Sequence, residues 1–334
     1  MTKLTVSSSP HVAKAHSTRS IMLDVCIALL PATIAAGIIF GLYTLVIIAL
    51  SVATCVLTEF TYNKVMKREQ SIGDLSCVVT GLLLGLNLPP VVPFYIPIVG
   101  GIFAIAVVKM LFGGLGKNFA NPAITARIFL LLAWSGTMTA YAVPLDYSNG
   151  FFGEFFKYFS GIFGNVDGIT SATPMYYLKN GSPESVDILK LFLGNVGGSA
   201  GEVSCLALLL GGIYLIVKKV IDYRIPLVMI ATVALFTLIF QGAEFVLPAI
   251  LGGGLILSAF FMATDYATTP NTVWGRVIFA FGCGLLTGII RVFGNYPEGV
   301  SFSILFMNLV TPLLDKYIIP RPFGYVKPKK EAGQ

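Results

Sequence analysis

Long apolar runs separated by short polar turns dominate the hydrophobic pattern of this 334-residue chain. A bilayer core of about 30 Å requires roughly 20 apolar residues per helix, and somewhat fewer where helices pair or break. Ten runs meet this requirement, at about residues 21–40, 42–61, 74–89, 93–112, 123–143, 201–221, 225–242, 245–264, 273–292 and 299–316. The pattern therefore predicts an all-α polytopic membrane protein with about ten transmembrane helices.

The ten runs divide into two halves of five that end in similar turns. The third run ends near Asn87 and the eighth near Asp265, each before a proline-containing segment and a Gly-rich run. Prolines also follow Asn121 and Tyr296, at the starts of the fifth and tenth runs. Because an odd number of spans per half inverts the second half in the membrane, we predict two inverted five-helix repeats with broken helices. Freed backbone groups at such breaks serve polar ligands near the bilayer midplane.

Composition and charge are typical of a membrane protein. Hydrophobic residues make up 56% of the chain, charged residues make up 11%, and the mean hydropathy is +0.84. Of the 22 Lys and Arg residues, all but Lys157, Lys179, Lys190 and Arg291 fall on one side of the predicted topology, which the positive-inside rule makes cytoplasmic. The net charge of +6 thus reflects basic residues whose uneven distribution indicates the orientation in the membrane. Nucleic-acid binding is excluded, because no soluble basic face interleaved with aromatics exists.

This topology divides the chain into five segments of a multi-pass protein of the cell inner membrane. They are a cytoplasmic N-terminal tail (1–20), a first five-helix repeat (21–143), an extracytoplasmic loop (144–200), a second five-helix repeat (201–316) and a cytoplasmic C-terminal tail (317–334). A loop as long as the third segment suggests a function, because long connections are uncommon in compact proteins.

The chain offers no recognisable metal or nucleotide motif. Its five cysteines are scattered through apolar runs without CxxC or Cys/His spacing, so they are interpreted as small apolar filler. Segment 113–117 fails as a phosphate loop, because Asn118 stands where a metal-binding hydroxyl belongs. No GxGxxG motif opens a strand–helix unit, which excludes a Rossmann domain. Asp265, beside Thr264, stays open as a position for cation passage.

The predicted extracytoplasmic loop contains the segment Asp167-Gly-Ile-Thr-Ser-Ala-Thr173-Pro174. Judged by residue types alone, it is a small-residue turn in which hydroxyls offer helix caps and proline restricts the backbone. The same segment resembles the Dxx[ST]xAT flavinylation motif, in which the final threonine carries FMN through a phosphoester bond. Ser171 departs from the commonest form of that motif, which has Gly before the Ala.

Other segments resemble the same family over about residues 8 to 325. They are Ser9-Pro-His11, Ile21-Met-Leu-Asp-Val25, Ala28-Leu-Leu-Pro-Ala32, Asn121-Pro-Ala123, the stretch from Asp265 to Pro270, and Tyr296-Pro-Glu-Gly-Val300. The chain resembles the family of membrane proteins that contains the D subunit of the Rnf ion-translocating electron-transport complex. The B subunit of the sodium-translocating NADH:quinone reductase is similar but has a longer N-terminal extension, so the short tail here favours the Rnf branch.

The resemblance implies a set of cofactor-binding residues, with no metal and no catalytic residue in this chain alone. FMN would be bound covalently by Thr173, and Asp167 would assist the flavin transferase. Riboflavin, bound non-covalently within the helix bundle, is a second implied cofactor, and the turn near Asn121 and Arg127 is its candidate contact. The full implied set is Thr173, Asp167, Ser171, Ala172, Pro174, Asn121 and Arg127.

The resemblance further implies a role as one subunit of an ion-translocating ferredoxin:NAD+ oxidoreductase. This chain would relay electrons through FMN and help to couple their transfer to Na+ or H+ translocation, without being a complete enzyme alone. Its expected partners are the FMN-bearing G subunit, the A and E membrane subunits, and membrane lipid. Two alternatives remain open: the B subunit of a quinone reductase, and a small-solute channel of the urea type, which shares broken helices in inverted repeats.

Overall fold

The computed structural model describes residues 17–147, 154–155, 173–182, 184, 186–202, 204–294 and 299–319, which form helices and no β-strand. The first half contains α1 (Thr18–Phe40), α2 (Leu42–Val65), α3 (Ser76–Leu86), α4 (Tyr95–Ile102), α5 (Pro122–Ala133) and α6 (Ser135–Met138). Two short helices follow, α7 (Pro174–Lys179) and α8 (Ile188–Leu193). The second half contains α9 (Cys205–Val217), α10 (Arg224–Phe240), α11 (Ala243–Leu251), α12 (Leu255–Leu257), α13 (Val273–Phe293) and α14 (Val300–Tyr317).

Hydroxyl and amide side chains begin several of these helices. Ser17 accepts from the Ser20 N–H at the start of α1, and Thr272 accepts from the Gly275 N–H at the start of α13. Asn121 caps α5, and the proline that follows it occupies the first turn, where its missing N–H costs nothing. Local sequence signals therefore place these helix starts where the structure has them.

Three described helices, α1, α2 and α13, are long and apolar enough to cross a membrane. The pair Ala243–Leu251 and Leu255–Met262, bent by 61° at a short break, makes a fourth span if it counts as one. Five further apolar helices are shorter: Ser76–Leu86, Tyr95–Met110, Pro122–Ala133, Cys205–Val217 and Arg224–Phe240. The all-α class is confirmed, whereas the ten spans, their inverted repeat and the five-segment division stay predictions.

Two of the predicted spans are interrupted for identifiable reasons. The run 245–264 breaks after α11, because Gly253 (φ 63°) and Gly254 (φ 66°) adopt left-handed conformations that favour glycine. The chain then resumes as α12 and a π-helix, Ser258–Met262. The run 123–143 is helical only as far as Ala133, because Trp134 (φ −132°, ψ 56°) leaves the helical region before the one-turn α6. A second π-helix, Phe103–Met110, continues α4.

A single hydrophobic core joins the described parts of the two halves. It includes Leu29, Leu84, Leu208 and Phe279, all fully buried. Small residues let the helices approach closely: α1 packs on α9, where a Cβ added at Gly211 would overlap with the carbonyl oxygen of Ala28. The core thus fixes the α11–α12 break and the start of α5 relative to one another, and the candidate sites lie around these two features.

Candidate functional site

Thr173 begins α7 and is largely buried, with 9% of its surface exposed. Its hydroxyl oxygen accepts a hydrogen bond from the Tyr176 N–H at 3.3 Å, and Pro174 occupies the first helical position. Met175 and Leu178 pack against Ala249 of α11. The oxygen acts as an acceptor in the capping contact, so an ester at this oxygen is compatible with the cap. The threonine is therefore held at the start of a helix and is not a residue of a free loop.

A small pocket lies beside Thr173, and four of its ten lining residues are glycine. Its lining residues are Thr173, Pro174, Met175, Leu191, Val196, Gly197, Gly198, Glu202, Gly252 and Gly253. Glycine lets a ligand approach the backbone closely. The pocket itself holds about 20 Å³ and Glu202 places a carboxylate in its wall, so a flavin ring does not fit inside it. The predicted motif residues Asp167, Ser171 and Ala172 lie outside the described residues.

Arg127 lies in a buried polar cluster that reaches this pocket through Glu202. Its guanidinium Nη1 lies 2.8 Å from Glu202 Oε1, 3.0 Å from Asn87 Oδ1 and 3.1 Å from Ser301 Oγ. Its Nη2 lies 3.4 Å from the hydroxyl oxygen of Ser199. A buried pair of this kind is costly to break, by roughly 3–5 kcal/mol when one partner is removed. The cluster joins α3, α5 and α14 to the segment that carries Glu202.

Arg291 holds the break between α11 and α12. Its Nη1 donates to the carbonyl of Ala249 at 2.6 Å, and its Nη2 donates to the carbonyls of Gly252 at 3.2 Å and Gly253 at 2.9 Å. These carbonyls belong to the end of α11, where a helix leaves acceptors unpaired. Because Gly252 and Gly253 also line the Thr173 pocket, Arg291 stabilises one wall of that pocket.

A second cavity lies between the two halves and contains Asn121. Its polar lining consists of Ser76, Thr80, Lys109, Asn118, Asn121, Thr264, Asp265 and Tyr266. Asn121 is fully engaged: its Oδ1 accepts from the N–H groups of Ala123 and Ile124, and its Nδ2 donates to the Met262 carbonyl at 3.2 Å. Asn118 donates to the Ala120 carbonyl, but its buried Oδ1 has no partner among the described residues.

A buried ion pair forms part of the wall of this second cavity. Lys109 Nζ lies 2.6 Å from both Glu59 Oε2 and Ser76 Oγ. Asp265, which lines the same cavity, accepts from Thr268 Oγ1 at 3.2 Å. The described residues contain no group of three or more His, Cys, Asp or Glu that could hold a metal ion. Cation passage at Asp265 therefore stays a prediction without a built metal site.

The structure separates the two residues predicted to contact a second flavin. Asn121 lines the second cavity, whereas Arg127 is directed to Glu202 and the Thr173 pocket. Sequence reasoning missed Glu202, Asn118 as a ligand candidate, and the role of Arg291. Of these, Arg291 and Glu202 could have been singled out from the sequence as charged residues beside apolar runs, because such residues are costly to bury unless they are paired.

Comparison with known proteins identifies the relationship that these residues suggest. The model of the NQR2, RnfD, RnfE family matches residues 5–324. The chain belongs to this family. It is 48% identical to the D subunit of the Na(+)-translocating ferredoxin:NAD(+) oxidoreductase complex of Acetobacterium woodii, with 98% of each chain covered. The D subunit of the proton-translocating ferredoxin:NAD(+) oxidoreductase complex of Clostridium ljungdahlii is 41% identical, with 96% of each chain covered.

More distant relatives carry the same designation. The D subunit of the ion-translocating oxidoreductase complex of Escherichia coli is 34% identical, over 96% of this chain and 99% of its own. The predicted resemblance to the D subunit of the Rnf complex is therefore confirmed. Family membership, together with the apolar helices, makes this chain a multi-pass membrane protein whose relatives are subunits of ion-translocating oxidoreductase complexes.

Proposed function

We propose that this chain is the membrane flavoprotein subunit of an ion-translocating ferredoxin:NAD+ oxidoreductase complex, and that it carries FMN covalently on Thr173. The observation that supports this most is the position of Thr173, which is held at a helix start beside a pocket lined partly by glycine. Near full-length similarity to the D subunits of two ferredoxin:NAD(+) oxidoreductase complexes supports the same electron-transfer role. The chain is one component of the catalytic machinery and not a complete enzyme.

Residues around the attachment point have distinct tasks in this proposal. Thr173 supplies the ester oxygen while it continues to accept from Tyr176, and Pro174 keeps the backbone rigid after it. Asp167 is recognised by the flavin transferase. Ser171 and Ala172 have small side chains, which leave the approach to the threonine open. FMN, when bound, supplies the transfer of one or two electrons. The covalent link prevents loss of the cofactor from an exposed site.

The second cavity is the proposed site of a non-covalent flavin such as riboflavin. Its walls are mostly apolar, with a few convergent polar groups, as in many cofactor sites. The unpartnered Oδ1 of Asn118 is a buried acceptor suited to a ring N–H, because buried polar atoms normally have a partner. Asn121 positions the cavity wall through Met262, and Arg127 acts on the same residue through Asn87, which contacts the Met262 sulfur.

In the proposed arrangement, the chain crosses the inner membrane ten times in two inverted repeats, with both termini in the cytoplasm and the flavin-bearing loop outside. Its partners are the FMN-bearing G subunit and the A and E membrane subunits. Electron transfer through the complex is coupled to Na+ or H+ translocation. Co-purification with a ferredoxin-type iron–sulfur protein distinguishes this assignment from the B subunit of a quinone reductase.

The direct test is the chemical state of Thr173 in protein from cells that contain the flavin transferase. We expect a fluorescent band under ultraviolet light on a denaturing gel, and an intact mass increased by one esterified FMN. Thr173→Ala should abolish both signals. Thr272→Ala is the matched control, because Thr272 caps α13 through the same kind of hydrogen bond and should keep the flavin. A wild-type band without fluorescence would contradict the proposal and favour a channel.

A further inference from the structure

Asn308 is a buried polar residue in the middle of α14 that has no hydrogen-bond partner among the described residues. Only 1% of its surface is exposed. Neither its Nδ2 donor nor its Oδ1 acceptor makes a hydrogen bond within the described part of the chain. Buried polar atoms normally have a partner, because an unpaired one is costly to remove from water. A buried amide with both ends unpaired therefore indicates a polar ligand at this position.

The backbone beside this amide also lacks a hydrogen-bond donor. Pro312 lies inside α14, four residues after Asn308, and proline has no N–H group. The carbonyl oxygen of Asn308 therefore loses the donor that a regular helix supplies. One turn of α14 thus presents two acceptors, the carbonyl oxygen and Oδ1 of Asn308, together with its Nδ2 donor. In membrane proteins, ordered water is one of the partners that satisfy backbone groups freed by a proline.

A large cavity adjoins this turn of α14. It holds about 520 Å³, and Thr311 and Pro312 are among its lining residues. The exposed residues Tyr266 and Asn271 also line it, so solvent reaches it. Thr311 lies on the same face of α14 as Asn308, because residues three apart are neighbours on a helix surface. The cavity therefore extends to the turn that carries the unpaired groups.

We propose that Asn308 binds water that is continuous with this cavity, so that a hydrated branch of the cavity reaches the middle of α14. Water fits the groups present, because it both donates and accepts hydrogen bonds. A metal cation would bind the two oxygens but leave the Nδ2 donor unpaired, and an anion would leave the oxygens unpaired. This inference is independent of any flavin.

The hydrated branch matters because α14 belongs to a predicted membrane span. Charge is costly to transfer from water to apolar surroundings, so protons and ions move through a membrane protein along polar or hydrated positions. Water at Asn308 would provide such a position halfway along a helix that is otherwise largely apolar.

The experiment measures the reaction of an engineered thiol at this position in the purified complex. The reagent, aminoethyl methanethiosulfonate, attacks the thiolate, which forms where water can solvate its charge. Asn308→Cys should be modified at least about tenfold faster than Ile304→Cys. Ile304 is the matched control, because it is fully buried one turn earlier on the same face and has no polar side-chain atom. Intact mass counts the adducts, and unsubstituted protein gives the background from the native cysteines.

Thr311→Cys places the thiol in the cavity itself and controls for entry of the reagent. It should react at least as fast as Asn308→Cys. If Asn308→Cys reacts as slowly as Ile304→Cys while Thr311→Cys is modified, the position is dry and the proposal is wrong. Slow reaction of all three variants would also overturn the proposal, because the cavity would then not be open to solvent.

A measurement on the unsubstituted complex keeps the test decisive if Asn308→Cys fails to fold. In a cryo-electron microscopy map that resolves ordered water, we expect a peak about 3 Å from the side-chain amide of Asn308. A map that shows other buried waters but no peak here would contradict the proposal. A peak that contacts only oxygen atoms, with Nδ2 still unpaired, would indicate a cation and would also overturn it.

Discussion

At the scale of single residues, the buried charges do most to shape the candidate site. Arg127 and Arg291 each contact residues that line the Thr173 pocket. Arg127 neutralises a carboxylate, whereas Arg291 donates to backbone carbonyls and leaves its charge spread over three acceptors. The first pairing controls charge beside the pocket, and the second controls backbone shape.

Replacement of Arg291 tests the role of backbone shape. Arg291→Met should leave the carbonyls of Ala249, Gly252 and Gly253 without this donor. Since hydrogen bonds to charged groups contribute roughly 1.5–3 kcal/mol, we expect lower thermal stability in detergent and less covalent flavin per polypeptide. Heat-challenge chromatography and in-gel flavin fluorescence measure the two effects.

A surface arginine provides the control for that substitution. Arg276 is partly exposed, pairs with Asp222 and donates to the carbonyls of Pro270 and Asn271. Arg276→Met should cost less than Arg291→Met, because water reaches a partly exposed side chain and its partners and weakens their interaction. Equal heat stability and equal flavin content in the two methionine variants would show that Arg291 does not support the pocket.

The limits of sequence reasoning at this scale follow from chain distance. Thr173 and Pro174 are predictable, because the residues that define their motif are contiguous. The partners of Glu202 and Arg291 are not predictable, although the charges themselves stand out, because Arg127 and Gly253 lie far away along the chain and are brought close only by helix packing. The sequence links Arg127 to a local turn, and the structure adds buried partners from distant parts of the chain, Glu202, Asn87 and Ser301.

At the scale of helices, apolar runs predict that a helix exists better than they predict where it begins and ends. The runs behind α1, α2 and α13 form single long helices. The run 245–264 does not, since hydropathy counts side chains and does not register that Gly253 and Gly254 take left-handed backbone angles. The run 123–143 ends early at Trp134 for the same reason, a change of backbone and not of polarity.

The crossing of α1 and α9 depends on one glycine. Gly211→Ala should force the helices apart, because the added Cβ would overlap with the Ala28 carbonyl oxygen, which is backbone and cannot rotate away. We expect a fall of several degrees in the apparent melting temperature, although alanine is otherwise the better helix former by about 1 kcal/mol. Gly136→Ala in α6 meets nothing within 4 Å and should not lower it. Similar melting temperatures for both variants would refute close packing at this crossing.

At the scale of the whole molecule, the two candidate sites are connected through the core. Asn87 binds Arg127 and also donates to the Met262 thioether sulfur, while Asn121 holds the Met262 carbonyl. A continuous set of buried polar contacts therefore runs from Glu202 beside Thr173 to the wall of the second cavity. This arrangement places both candidate flavin positions on one framework that includes residues from both halves.

Orientation in the membrane is the remaining whole-molecule prediction, and it rests on the distribution of Lys and Arg. The turn after α2 should be cytoplasmic and the segment around α7 extracytoplasmic, because the positive-inside rule assigns the basic turn to the inside. Gln70 and Ser182 are exposed residues in these two places. In full-length protein, Ser182→Cys should react with a membrane-impermeant maleimide in intact spheroplasts, whereas Gln70→Cys should react only after permeabilisation.

The native cysteines make the labelling experiment interpretable. Cys55, Cys77, Cys205 and Cys283 are buried, and Cys26 is partly buried within α1, so unsubstituted protein should give little signal. Labelling of Gln70→Cys in intact spheroplasts, with Ser182→Cys protected, would reverse the orientation and place Thr173 in the cytoplasm. Labelling of both from outside would mean that an even number of spans separates the two positions, and the ten-span topology with its inverted repeats would then be wrong.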